Sequence, residues 1–232
     1  LYLVTNGCSH TSGAELEYEL QDSCYEKAWP KHLANLLQCS SINLAKSGAS
    51  QDRIIRTTLC WLGNNLDKIK DCFIIILWPG PLRTEIRADG VTWPQDDDWI
   101  PLVVGNDVLY KKQFPYEVYR YYESWLSLRD VYLDATNFLK NVISLQNTLK
   151  LYKIPYLFWN ASSCIWIHDN RLSPLCKQID NRYYPNFYEP SFQMNAILST
   201  NGGTKNFQHW DEKTQRWWAN FLYNYTQKNY TF

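Results

Sequence analysis

The sequence has no excess of charge of either sign, no long hydrophobic run and no cysteine pair at metal-binding spacing, and each absence removes a class of function. Lys+Arg and Asp+Glu balance at 23 each, so there is no basic footprint for nucleic acid and no cationic face for an anionic membrane. The best apolar run, Phe73 to Trp78, is strand-sized, far short of the roughly 20 residues that span a bilayer. Seven cysteines are an odd number at irregular spacing without a C-x-x-C pair, which argues against a zinc or dithiol redox centre. No metal and no cofactor is expected. Cys60, Cys72 and Cys164 stand beside apolar residues, where a buried free thiol is the default, and this favours a reducing, cytoplasmic compartment. No G-x-G-x-x-G or P-loop sequence is present, so the usual nucleotide signatures are missing. No signal peptide is visible, because the chain opens directly in a strand; its first residue is Leu rather than Met, which leaves a trimmed leader open. No internal repeat or low-complexity linker stands out, and 232 residues suit one domain with a full-sized core.

What the chain has in quantity is aromatic: 11 Trp and 17 Tyr. Such residues fill cores and rims in any fold; the sharper alternative is a set of stacking platforms for sugar rings. Three N-x-[ST] sequons, at Asn160, Asn224 and Asn229, are about what chance gives in an Asn-rich chain.

The periodicity predicts alternating strands and helices. Tyr2-Leu3-Val4-Thr5 is a strand. A helix capped by Ser23 runs to about Gln38, with Ala28, Leu33, Leu36 and Leu37 inward. Pro30 is tolerated only near a first turn and moves that start toward Trp29. Ile42-Asn43-Leu44 is a short strand, and Ser50 opens a helix with Ile54, Ile55, Leu59, Leu62 and Leu66 at helical spacing. Phe73 to Trp78 is apolar throughout, the mark of a parallel strand buried on both faces. Residues from about 80 to 115 break the rhythm with prolines, Asp89-Gly90 and the acidic run Asp96-Asp97-Asp98, and are expected to form an insertion with one or two hairpins. A helical region from about Tyr116 to Tyr152 is two helices or one bent one, Ile154 to Asn160 is the next strand, and a last helix runs from about Asp211 to Gln227. The expected fold is α/β: a three-layer α/β/α sandwich around a mostly parallel, flavodoxin-like sheet of about five strands.

Candidate chemistry lies at the two ends of the chain. The first strand runs into Gly7-Cys8-Ser9-His10-Thr11-Ser12-Gly13, which puts a serine at the carboxyl end of a strand, where open α/β sheets carry their sites. Just before the last helix comes Asn206-Phe207-Gln208-His209-Trp210-Asp211. A serine hydroxyl is a weak nucleophile near neutrality and needs a base such as His209, and the base needs a third group to fix its tautomer. Asp211 is placed to cap the last helix. The adjacent pair His168-Asp169 is read as structural.

Three segments together resemble the SGNH (GDSL-type) hydrolases. Gly7-Cys8-Ser9-His10-Thr11-Ser12-Gly13 resembles their first block, with Cys8 for the usual Asp, and is similar to uncharacterised bacterial and phage members with a GCSxTxG start. Asn43-Leu44-Ala45-Lys46-Ser47-Gly48 resembles the second block, and His209 followed by Trp218-Ala219 and Leu222 resembles the last. The resemblance implies Ser9 as nucleophile, His209 as general base and then acid, and the N–H groups of Ser9 and Gly48 as the oxyanion hole. It implies an ester rather than an amide substrate, an acyl or acetyl ester of a carbohydrate or other small molecule.

Two departures from that pattern stand out. The third block's Asn, a further oxyanion donor, is absent where the strand ends Leu77-Trp78-Pro79-Gly80-Pro81-Leu82-Arg83; Arg83 is the nearby strong donor, to substitute for it, to bind an anionic substrate group, or to form a surface ion pair with Glu85 or another acid. The acid expected three residues before the histidine is Asn206, which can accept the imidazole N–H but adds no charge. Three alternatives follow: a serine esterase whose His209 is oriented by Asn206 or by a backbone carbonyl, a weak or inactive domain that binds a glycan in the same cleft, and a flavodoxin-like anion binder.

Overall fold

The computed structural model describes residues 1–16, 24–90, 99–162, 169–188, 193–206 and 209–230, and of Asn206 the backbone alone. Ser23, the acidic run 96–98, Cys164 and His168 lie outside the described residues.

Among the described residues the main sheet has four parallel strands in the order β2-β1-β3-β6. These are β1 (Tyr2–Gly7), β2 (Ser40–Asn43), β3 (Cys72–Trp78) and β6 (Tyr156–Asn160), with Thr5 opposite Asn43 on one side and Ile75 on the other. Between β3 and β6 comes an antiparallel pair, β4 (Arg83–Arg87) and β5 (Trp99–Val103).

All seven residues of β3 are buried, as an interior parallel strand covered on both faces requires. Val4, Ile74, Ile76 and Phe158 face α3 (Gln51–Asn64) and α6 (Val131–Leu151). Leu3, Phe73, Ile75, Leu77 and Trp159 face α2 (Trp29–Leu36), α8 (Met194–Thr200) and α9 (Glu212–Asn229). Adjacent residues thus feed opposite cores, and three layers result.

The sequence predicts about five strands; among the described residues the main sheet has four. Along the free edge of β6, the Phe158 N–H donates to Tyr183 O at 2.7 Å and the Asn160 N–H donates to Asn186 Oδ1 at 3.0 Å. Residues 183–186 thus supply acceptors to β6 without entering the ladder.

α2 starts at Trp29, with Ala28 at the cap and Pro30 in the first turn. The long helical region divides into α5 (Tyr116–Leu128) and α6 at Arg129-Asp130, where the Asp130 carboxylate accepts the Tyr132 N–H at 2.8 Å. Three apolar assignments fail. Leu36 is exposed at the end of α2, Leu66 lies beyond the end of α3 and is exposed, and Cys60 is on the outward side of α3. Five of the nine described tryptophans, Trp29, Trp78, Trp159, Trp210 and Trp218, are buried in the core, so bulk burial accounts for these better than sugar stacking. A small third core joins Ile100 and Leu102 of β5 to Tyr110 of α4 (Asp107–Gln113) and to Val118 and Tyr122 of α5.

Candidate active site

The serine loop is shaped by glycines that no other residue could replace. A Cβ on Gly7 would overlap the Thr11 hydroxyl and lie 2.9 Å from the Leu77 carbonyl; Gly13 has φ +80°, and its Cβ would come within 2.5 Å of the Cys24 carbonyl. Between them, α1 (Ser9–Ser12) is one turn capped by backbone alone, the Cys8 carbonyl accepting from Thr11 at 2.9 Å and Ser12 at 3.0 Å. Cys8, in the place of an acid, is buried; Ser9 is 7% exposed.

Asn6 holds this turn to the sheet and to α3. Its Nδ2 lies 2.9 Å from the hydroxyls of Thr57 and Thr58 and 3.2 Å from the Ile54 carbonyl, and its Oδ1 accepts the Gly7 N–H at 2.8 Å. A buried amide stays in a core only when its polar atoms are met in this way.

The second loop comes alongside through Lys46, whose N–H donates to Gly7 O at 3.2 Å, and through Asn43, whose Nδ2 donates to Thr11 O at 2.9 Å. Gly48 has φ +76°, a left-handed conformation that disfavours any side chain. A Cβ there would meet Pro101 of β5 at 3.6 Å, so the β4–β5 pair roofs this loop. Among the described residues no hydrogen bond engages the N–H of Ser9 or of Gly48.

His209 lies on a short antiparallel pair, β7 (Lys205–Asn206) and β8 (His209–Trp210), with Asn206 directly opposite. The fold brings it against the serine loop: its ring meets that of His10 edge-on with centroids 5.2 Å apart. Gln215 of α9 joins the pieces, its Nε2 donating to His10 O at 3.4 Å and its Oε1 accepting the Trp29 N–H at 3.1 Å.

His10 is partly exposed by area, yet its Nδ1 is wholly covered. Burial, reinforced by His209, Arg83 and Lys205, lowers its pKa to about 3, so it is neutral near pH 7.

One residue escaped the sequence reading. Glu15, two positions past Gly13, accepts the His209 N–H on Oε2 at 3.0 Å, and the same oxygen lies 3.1 Å from His209 Nδ1. The second contact has ion-pair distance without hydrogen-bond alignment. Each side chain is 16% exposed. Glu15 has φ +64°, uncommon for a residue with a Cβ. Nothing local marks it, because its partner is 194 positions away.

Arg83 opens β4 and donates from Nη1 to the Ala49 carbonyl at 3.4 Å, beside the Gly48 loop. The ion pair with Glu85 goes to another residue: Arg56 of α3 grips that carboxylate with two bonds of 2.8 and 2.9 Å. Asp211 caps α9 through the Thr214 N–H at 2.8 Å. Asp169 caps a 3₁₀ turn and pairs with Arg171. A groove of about 670 Å³ lies between the β4–β5 pair and helices α5 and α6, with Arg83, Trp99, Trp125 and Asn141 among its walls. Among the described residues no group of His, Cys, Asp and Glu could hold a metal ion, and no helix is long and apolar enough to cross a membrane.

With this geometry in hand, comparison with known proteins gives a family. The sequence profile of DUF6071 matches residues 13–229. The chain belongs to DUF6071, a family of unknown function. No curated protein matches the sequence. Among solved structures it is similar to the psychrotrophic esterase EstA from Pseudoalteromonas sp., at 16% identity and TM-score 0.46 over 98% of this chain and 97% of that one. It is similar to a carbohydrate acetylesterase family member from Sinorhizobium meliloti, at 10% identity and TM-score 0.49 over 98% and 97%. It is also similar to a member of the lipolytic protein G-D-S-L family from Veillonella parvula, at 10% and 0.46 over 98% and 96%. At these values the likeness carries nothing about the chemistry of this DUF6071 chain, which rests on its own residues.

Proposed function

We propose that the protein is a serine ester hydrolase acting on an acyl or acetyl ester of a carbohydrate or other small molecule. The observation that carries the reading is the meeting of the two chain ends, the His209 ring lying against the loop of Ser9. Ser9 Oγ attacks the ester carbonyl carbon while its proton passes to His209 Nε2. The N–H groups of Ser9 and Gly48 receive the oxyanion. Collapse breaks the bond to the alkoxy oxygen, which leaves as the alcohol with the proton from His209. Water, deprotonated by His209, then attacks the acyl-enzyme; the acid is released and Ser9 recovers its proton. Fixed donors aimed at the oxyanion contribute on the order of 10²–10³ in rate each. Arg83 stands beside the Gly48 loop as a contact for a polar or anionic substrate group, and Asn206 faces His209 across the β7–β8 pair as a residue that could orient it.

Hydrolysis of a short-chain aryl ester tests this. Wild type is expected to give an acyl-enzyme burst, and Ser9→Ala and His209→Ala each to lose at least about 10³-fold in kcat/KM. Equal turnover in all three proteins overturns the assignment.

A second reading, a glycan-binding domain without turnover, is favoured by the aromatic groove of Trp99 and Trp125. It predicts no burst in wild type, with oligosaccharide binding by calorimetry that Trp125→Ala weakens.

A further inference from the structure

We propose that Glu15 is the carboxylate that orients His209 and balances its charge, the task that Asn206 cannot perform with a neutral amide. The proposal rests on the Ser9–His209 reading and adds to it a residue outside every motif of the sequence. A single oxygen, Oε2, meets both the main chain and the ring of His209, at 3.0 Å from N and 3.1 Å from Nδ1. The backbone bond fixes where the carboxylate stands, and a small rotation of the imidazole then aligns Nδ1–H with it. Catalytic hydrogen bonds are often loose in an unliganded site and tighten when substrate binds.

Among the described residues Glu15 is the carboxylate paired with the His209 ring, while His10, which meets the same ring edge-on, is uncharged near neutrality. Lys205 on β7 and Arg83 on β4 are charged groups that act on His10. With both side chains 16% exposed, the attraction between carboxylate and imidazolium is less screened than it would be at the surface. Glu15 has a left-handed backbone, φ +64°, and its carboxylate meets His209. Non-glycine residues hold such angles where the surroundings over-determine them, often at functional sites.

The chemistry follows from position. Glu15 does not touch substrate; it acts through His209 as a positioning residue. It holds the proton on Nδ1, which leaves the Nε2 lone pair to take the proton from Ser9. It stays ionised while the imidazolium forms, and the proton remains on the ring. The nucleophile and the positioning carboxylate are then only six residues apart, on either side of Gly13.

The test combines kinetics with histidine spectroscopy on the whole chain. Glu15→Gln, which keeps shape and removes charge, is expected to lower kcat by about 10²–10⁴-fold with KM within about twofold. Glu15→Asp, one methylene shorter, is expected to recover at least about tenfold of that loss. Nitrogen NMR of ¹⁵N-histidine-labelled wild type should show His209 mainly as the Nδ1–H tautomer, with that preference lost in Glu15→Ala. Turnover by Glu15→Gln within threefold of wild type, while Ser9→Ala is inactive, overturns the proposal. If Ser9→Ala retains full turnover, it is the esterase reading that fails. The tautomer measurement still decides the pairing, and a dominant Nε2–H form in wild type overturns it. That spectrum needs no variant, so a Glu15 substitution that fails to fold leaves the proposal open to refutation.

Discussion

His10 and Glu15 flank the same imidazole, one through its ring and the other through its carboxylate. His10 is kept neutral, its pKa brought from 6.5 to about 3 by burial first and then by the charges of His209, Arg83 and Lys205. In the unfolded chain it titrates at its ordinary value, so below about pH 6.5 the unfolded state binds a proton that the folded state refuses. The stability due to neutral His10 is whole above that pH and drains away as pH falls toward 3. Urea unfolding followed from pH 7 to pH 4 is expected to show this slope, and His10→Gln to flatten it. Neither residue could be assigned this way from the sequence. His10 looks like an ordinary loop residue beside Ser9, and nothing separates Glu15 from Glu17 or Glu19. The serine was legible because small residues between two glycines at a strand end have a local cause; the carboxylate has only a distant one.

At the scale of elements, the β4–β5 pair owes its position over Gly48 to a tether from α3. Arg56 grips Glu85, whose side chain is 4% exposed, and lays its guanidinium 4.2 Å from the centre of the Trp99 ring. Removing the arginine leaves a covered carboxylate without this partner, a change that costs about 3 kcal/mol for buried pairs. Arg56→Ala is therefore expected to destabilise the protein by about that amount in urea unfolding. Glu85→Gln added to Arg56→Ala should restore part of the loss, because the stranded charge is gone. Elements with a local signature were predictable: Pro30 fixed where α2 begins, and Asp130 divides two helices at a cap. The roof over Gly48 was not. Turn residues announced hairpins between about 80 and 115, but their docking depends on a bidentate pair between residues 29 positions apart, which no short-range pattern encodes.

At the scale of the whole molecule, the described residues form a four-stranded parallel sheet between helical layers, and its order places the Ser9 loop and the Gly48 loop together at the carboxyl ends of β1 and β2. Strand order of this kind gathers a site where successive connections leave in opposite directions. The layers were readable from Phe73 to Trp78, since a strand apolar on both faces demands a cover on each. The strand count was not, because Tyr183 and Asn186 supply β6 with acceptors that a fifth strand would have offered. Hydrogen exchange checks this substitution: the amides of Phe158 and Asn160 are expected to be protected like interior sheet amides. Asn186→Ala should speed exchange at Asn160 far more than at Phe158, whose acceptor is main chain.

The contact of Glu15 with His209 spans 194 positions, and this governs when the site comes into being during folding. Bringing such distant segments together is slow compared with forming helices or neighbouring turns. In chain order the His209 ring follows the Ser9 loop only after the strands of the main sheet and helices α2 to α8. Until β7 and β8 dock, the serine loop stands without the His209 ring, and a chain cleaved before residue 205 would keep β1, β2, β3 and β6 and lack that ring. On the proposed reading, activity waits for the docking of β7 and β8, a delay between having the nucleophile and being able to use it.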